Sequence, residues 1–364
     1  MKVAVIAWIG STNLGDDLIF AALIELLGEF NVRPQDITAF STNPEDTSRK
    51  FGVHSVGHLD PVATLRVLSA CDLVIFGGGG LIQDETSAWN LPYYYGRLWL
   101  ARWLGKPIVT LGVGVGPLKT RLGRWLTRIT LRGQDAVVLR DPKSRDELVD
   151  LGVRQATVGA DLVFGMKPVA GEPKPYLAVS LRHYAPRSRV LPVSLSKSEA
   201  GESVTDLLAS VLDEAADRTG LAIRFVSFDT DQDFAFHRKI ADRMVHAVTF
   251  ATPSTNDVIE AIGSASVVLA MRFHAGVIAT MAGRPSVLIG YSPKIYALEK
   301  MVGSACRAIP NEVEAFTDLP RLLVEVAAEE VPTGELRARL ESATAVNRSA
   351  VGRVIENLGA RASD

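Results

Sequence analysis

The feature that most limits what this 364-residue chain can become is an alternation. Short runs rich in Val, Ile, Leu and Phe recur between segments of helical spacing, a pattern that builds a parallel sheet with crossover helices on its faces. In the first half the runs fall at 3–7, 37–40, 73–76, 108–111 and 136–139. The stretch "GMKPVAGEPKP" (165–175) interrupts the pattern with Pro and Gly, and the runs restart at 176–181, 223–228, 267–270 and 287–289. The sequence therefore predicts an α/β protein of two Rossmann-like, doubly wound domains, residues 1–168 and 175–330, followed by a helical segment at 331–364. Ligands of open α/β sheets bind beyond the carboxyl ends of the strands, so the strand ends and a cleft expected between the domains are where chemistry is sought.

The strand ends of the first half are rich in glycine. "WIGSTNLGDD" brings Asn13, Gly15 and Asp16 to a helix start. There they serve either as a helix cap or as groups facing a phosphate or sugar oxygen. "DLVIFGGGGLIQDE" ends a buried run in four glycines, Gly77 to Gly80, with Asp84 just beyond. A tight turn needs one or two glycines, so Gly78, Gly79 and Gly80 are read as room for a bulky ligand. "TLGVGVGPL" carries Gly112, Gly114 and Gly116, a G-x-G-x-G spacing unlike the dinucleotide fingerprint, and no P-loop motif occurs. Nicotinamide, flavin and P-loop nucleotide binding are disfavoured. "VVLRDPKSRDEL" sets Arg140 at a strand end before a helix that Asp141 and Pro142 open; its guanidinium suits a carboxylate or phosphate.

The second half repeats this layer with cations. Arg182 closes "SLR", Arg272 and His274 lie in "MRFHAGVIATMAGRP", and Lys294 ends "YSPK". A buried, unpaired Arg272 would cost several kcal/mol, so something anionic is expected beside it. His274, following an arginine and opening a helix, is a candidate proton donor. "DTDQDF" (229–234) lacks the Gly and Glu of a calcium loop and reads as a helix cap. Cys71 and Cys306 have no metal-site or disulfide spacing, and G-x-S-x-G is absent. The polar, aperiodic segment 183–202 is expected to order over a ligand.

A net charge of −2 gives no electrostatic case for nucleic acid. No apolar run reaches the ~18 residues that cross a bilayer, and the start "MKVAVIAW" reads as a strand rather than a signal peptide. A cytoplasmic protein is expected. "YYYGRLWLARWLGK" (93–106) and "TRLGRWLTRITLRG" (120–133) mix Trp, Leu and Arg at helical spacing. They fit two readings, helices that cover a sheet and helices that touch a membrane surface.

Taken in order, "NLGDD", "GGGGLIQD", "GVGVGPL", "LRDPKSRDELVDLGV", "ADLVF", "SLR", "MRFHAGVIATMAGRP" and "YSPK" make the chain resemble the polysaccharide pyruvyl transferase family, in particular its bacterial cell-wall branch, over about residues 1 to 300. The resemblance implies a GT-B-like fold and transfer of pyruvate from phosphoenolpyruvate to a sugar diol as a ketal. It implies no resident cofactor and no metal, with phosphoenolpyruvate as co-substrate and a sugar or lipid-linked glycan as acceptor. By position it assigns the catalytic roles to Arg272, His274, Lys294 and Arg140, with His274 as general acid. Asn13, Gly15 and Asp16 fall near the acceptor; Asp16 and Asp84 are candidates for the base. Met271 stands where many relatives have a smaller residue, which would make the wall beside Arg272 more apolar. A GT-B glycosyltransferase using a nucleotide sugar and a non-catalytic sugar-phosphate-binding protein are the alternatives. A homo-oligomer is compatible with the sequence.

Overall fold

The computed structural model describes residues 1–85, 87, 89–167, 171–183, 197–290 and 293–363. Most of the expected ligand-covering segment, residues 184–196, lies outside the described residues, as do Tyr291 and Ser292 of "YSPK". The chain divides into two compact units. The first comprises Met1–Ser11, Asp16–Met166 and Ala338–Asp364; the second comprises Thr12–Gly15 and Lys167–Arg337.

The first unit runs β1 (Val3–Ile9), α1 (Leu14–Gly28), β2 (Ile37–Ser41), α2 (Pro44–Phe51), β3 (His54–Gly57), α3 (Pro61–Ala70) and β4 (Leu73–Ile82). It continues with α4 (Asn90–Trp103), β5 (Ile108–Val115), α5 (Arg121–Leu131), β6 (Ala136–Leu139), α6 (Pro142–Asp150) and β7 (Thr157–Val158). The strands lie parallel in the order β3-β2-β1-β4-β5-β6-β7. Helix starts follow local chemistry. Asn43, Asp60, Thr120 and Asp141 cap α2, α3, α5 and α6 by accepting a backbone N–H. Proline opens α2, α3 and α6, where its missing N–H is harmless.

The second unit runs β8 (Lys174–Ser180), α7 (Lys197–Thr219), β9 (Ala222–Phe225), α8 (Gln232–Ala241), β10 (Val248–Phe250), α9 (Thr255–Gly263) and β11 (Ala265–Ala270). It continues with α10 (Phe273–Met281), β12 (Ser286–Gly290), α11 (Pro293–Val302), β13 (Cys306–Pro310), α12 (Val313–Phe316) and α13 (Leu319–Ala327). A last helix, α14 (Thr333–Ser363), groups with the first unit from Ala338 onward. The parallel strand order is β10-β9-β8-β11-β12-β13. Leu177, Val179, Val267, Leu269, Val287 and Ile289 of the central strands build its core with α7 and α13. Strands buried on both faces need apolar residues at successive positions, which is why these runs are continuous rather than alternating.

Each sheet reverses its strand order at one place, between β1 and β4 in the first unit and between β8 and β11 in the second. Chain connections diverge there and leave the strand ends uncovered. The edge strands β3, β7, β10 and β13 are not among the expected runs. A short edge strand needs little apolar surface, and "HSVG" or "TV" carries no pattern to read. In β4 and β5 the ladder also extends past the expected ends: Gly77 pairs with Leu111 and Gly79 with Val113, so the glycines lie within the strand rather than after it. Backbone pairing does not depend on side chains, and a register shift between Gly79 and Ile82 ends the regular ladder.

Candidate active site

In the second unit the carboxyl ends of neighbouring strands bring the expected cations together. Ala270 pairs with Ser180 on β8 and with Leu288 on β12. Arg182 and Arg272 each follow that pair by two residues, so they leave adjacent strands side by side. The Met271 amide donates to the Ser180 carbonyl at 2.8 Å and pins the two strand ends. Lys294, in the first turn of α11 after β12, holds its Nζ 5.2 Å from the Phe273 ring centroid, and that ring meets the His274 imidazole edge-on at 5.4 Å. Arg182, Arg272, His274 and Lys294 thus stand in one row at the β8/β11 reversal.

Arg272 does not wait for a ligand to neutralise it. Its Nε donates to Asp233 Oδ2 at 2.7 Å and its Nη2 donates to Oδ1 at 2.5 Å. Asp233, in the first turn of α8, is fully buried, and its Oδ2 also accepts the Phe228 and Asp229 amides at 3.1 and 3.0 Å. The anion expected beside Arg272 is therefore the protein's own carboxylate. "DTDQDF" is a cap in part, since Asp229 Oδ1 accepts the Asp231 and Gln232 amides; its third acid, Asp233, aims the arginine. Met271 does not line this row, because its side chain is 3% exposed and packs in the core beneath it.

Beneath Arg182, His237 fixes the end of β8. Its Nε2 accepts the Leu181 amide at 3.0 Å, which leaves Nδ1 to donate to the Ser227 hydroxyl at 2.9 Å. Complete burial pushes this imidazole down to about 4, so it stays neutral and serves as an acceptor. Asn13 and Gly15 belong to this unit as well. Asn13 bridges to Asp229, its Oδ1 accepts the Gly15 amide at 3.1 Å, and the Leu14 amide donates to the Phe228 carbonyl at 2.8 Å. A Cβ on Gly15 would lie 2.4 Å from His274 Nδ1, so the imidazole rests against bare backbone.

The first unit gathers its own set at the β1/β4 reversal. Asp16 accepts from the Ser11 hydroxyl at 3.3 Å and faces Gly79, whose Cβ would lie 4.0 Å from Asp16 Oδ1. Gly78 sits at φ +77°, and a Cβ there would come within 1.9 Å of Ile19 on α1. Its lack of a side chain lets α1 pack on the sheet, which leaves exposed Gly80 as the open part of the run. Gly114 makes room for Arg140, whose guanidinium carbon lies 2.7 Å from where a Cβ would stand. Arg140 is set between Asp141 and Asp161, each 3.6 Å away. Asp161 is 2% exposed and also accepts the Val163 amide; its only trace in the sequence is "ADLVF". Asp84 accepts from the Lys119 and Thr120 amides and the Thr120 hydroxyl. Burial works to raise its carboxyl, and these three donors outweigh that and hold it below the ordinary carboxylate range. A carboxylate so held organises the loop before α5.

Cys71 and Cys306 are buried thiols pushed up to about 11 by desolvation. Among the described residues, no cluster of three or more His, Cys, Asp or Glu could hold a metal, and no helix is long and apolar enough to cross a membrane.

Solved structures similar to this chain share its fold at low identity. The UDP-GlcNAc 2-epimerase of Neisseria meningitidis bound to UDP-GlcNAc superposes with a TM-score of 0.59 at 11% identity, covering 99% of this chain and 100% of that one. The UDP-GlcNAc 2-epimerase of Methanocaldococcus jannaschii gives 0.61 at 10% identity over 98% and 100% of the two chains. A glycosyltransferase of Rickettsia africae gives 0.60 at 9% identity over 98% of each. Two parallel α/β sheets with these likenesses define a GT-B-like fold. No curated protein matches the sequence. The model of the polysaccharide pyruvyl transferases matches residues 13–293, a range that holds Asn13, Arg140, Arg182, Arg272 and His274 and stops one residue short of Lys294. With more than half its length matched, this chain belongs to the polysaccharide pyruvyl transferase family, and membership implies transfer of a pyruvyl group to a polysaccharide.

Proposed function

We propose that the protein transfers pyruvate from phosphoenolpyruvate to two hydroxyls of one sugar in a cell-wall or exopolysaccharide precursor, releasing phosphate and closing a ketal. The observation that carries this reading is the row of Arg182, Arg272, His274 and Lys294 at the strand ends of the second unit, with Arg272 held in a fixed direction by buried Asp233. A three-carbon donor with a carboxylate and a phosphate suits a fork and a point charge: Arg272 for one anionic group and Lys294 for the other, with Arg182 beside them. His274 gives its proton to the methylene carbon, and the carbon bearing the phosphate becomes an oxocarbenium-like centre. One sugar hydroxyl adds there and loses its proton to the imidazole. The second hydroxyl displaces phosphate, its proton going to a base for which we assign Asp16. Arg140, with Gly80 and Gly114 near it, is proposed to support substrate binding. The acceptor is proposed to be a sugar or lipid-linked glycan.

The test incubates purified protein with phosphoenolpyruvate and a panel of sugar diols while phosphate and product mass are followed together. Phosphate release matched by a product heavier by one pyruvate ketal is the expected result. Nucleotide release from a sugar nucleotide, with phosphoenolpyruvate untouched, overturns the reading. Within it, His274→Ala is expected to retain phosphoenolpyruvate binding and lose at least ~100-fold in turnover, as removal of a general acid does. Unchanged turnover removes His274 from the role.

A further inference from the structure

The acidic and basic residues of this chain are unevenly distributed. Residues 86–134 contain eight Lys and Arg and not one Asp or Glu, in a chain whose net charge is −2. The same stretch holds four of the five tryptophans, and all four, Trp89, Trp99, Trp103 and Trp125, are exposed.

The helices α4 and α5 explain how that comes about. They pack side by side through polar contacts: the Tyr95 and Thr127 hydroxyls bond at 2.9 Å, and the Trp99 indole N–H donates to the Thr130 hydroxyl at 2.9 Å. In α5 the inward side carries Leu126 and Leu131 together with Thr127 and Thr130, while the outward side carries Leu122, Trp125 and Ile129, exposed by 60, 55 and 37%. These three follow helical spacing, and the outward arginines Arg121, Arg124 and Arg128 follow the same spacing one residue earlier. On α4, Trp103 is 80% exposed beside Arg102. A surface that turns large apolar side chains to water, interleaved with one sign of charge, is built for a partner that is apolar and anionic together.

We infer that the outer face of α4 and α5 is a docking surface for an anionic lipid bilayer. Indoles and aliphatic side chains enter the headgroup boundary, and the arginines stay at the level of the lipid phosphates. Charge decides against a second copy of the chain as occupant. A two-fold contact would lay this patch on itself and set arginine against arginine. Duplex nucleic acid would use the arginines but has no place for Leu122 and Ile129 at the crest.

The inference rests on the first unit alone and needs neither donor nor acceptor, so its test is separate from that of the catalytic reading. Full-length protein is sedimented with phosphatidylcholine vesicles and with vesicles that also contain phosphatidylglycerol, at low and high salt. Binding to the anionic vesicles, weakened by salt and accompanied by a blue shift of indole emission, is expected. The triple substitution Arg121→Gln, Arg124→Gln, Arg128→Gln lowers partitioning roughly a hundredfold, about fivefold per arginine, and the matching triple lysine substitution retains binding. Trp103→Ser with Trp125→Ser reduces the blue shift. All these side chains are exposed, and circular dichroism verifies that the variants fold. Wild-type protein left in the supernatant with anionic vesicles overturns the inference. So does equal binding by the triple glutamine variant, binding to duplex RNA in place of vesicles, or self-association that the Trp103→Ser, Trp125→Ser variant abolishes.

Discussion

Asp233→Asn is the sharpest probe of how this chain aims its arginine. Four donors converge on the two carboxylate oxygens: Arg272 Nε and the Phe228 and Asp229 amides on Oδ2, and Arg272 Nη2 on Oδ1. Asparagine keeps the volume but replaces one oxygen by an NH2, so in either amide orientation at least one donor meets another donor. The negative charge is also lost next to a guanidinium that is only 13% exposed. Breaking one partner of a buried ion pair costs about 3–5 kcal/mol. Some of that is recovered here by the amide oxygen, so a loss of about 3 kcal/mol is expected, against a typical domain stability of about 5–15 kcal/mol. Urea unfolding reads the change, and hydrogen exchange at the Phe228 and Asp229 amides shows that it is local. Arg272→Gln on the Asp233→Asn background should cost less than the two single changes added together, because the stranded charge is then gone. Destabilisation below about 1 kcal/mol, with additive single changes, would refute the argument that Asp233 fixes Arg272.

Gly15→Ala forces a methyl to 2.4 Å from His274 Nδ1, so the imidazole must turn; turnover is expected to fall at least ~10-fold with little change in stability, checked by phosphate release and thermal unfolding. Gly78→Ala meets both a positive φ and Ile19, and should destabilise the first unit by more than about 1 kcal/mol in urea unfolding. His237 is neutral in the fold at about 4 and has an ordinary value near 6.5 when unfolded. Its folded pKa is thus depressed: its stabilising effect is complete above about 6.5 and is lost as pH falls toward 4. Unfolding free energy should drop by about 2 kcal/mol between pH 7 and 5, and His237→Gln should flatten that dependence.

Much of the site could be read in the sequence because its signals are local. The apolar runs announce buried parallel strands whatever surrounds them, and Asp141 before Pro142 announces a helix start because a cap bonds an amide two or three residues on. Once two sheets of this order are recognised, Arg182, Arg272 and His274 fall at strand ends by counting. Asp161 and Asp233 were harder, since a single acid next to an apolar run reads equally well as a cap. The motif "ADLVF" marks Asp161 and nothing nearby marks Asp233 as the partner of an arginine 39 residues later.

What the sequence determined by itself, then, is periodicity: two repeats of strand and helix, where they break, and which residues stand at strand ends. Only the tertiary structure decided which of those residues meet. Strand register sets Arg182 beside Arg272, α8 brings Asp233 under the guanidinium, and the first turn of α1 lays Gly15 on His274. The same packing turned Gly78, expected to face a ligand, toward Ile19. The physical reason is that hydrophobic patterning fixes the period and the buried face of an element, which depend on near neighbours. A hydrogen bond between side chains far apart in sequence depends on the angle and register at which whole elements dock.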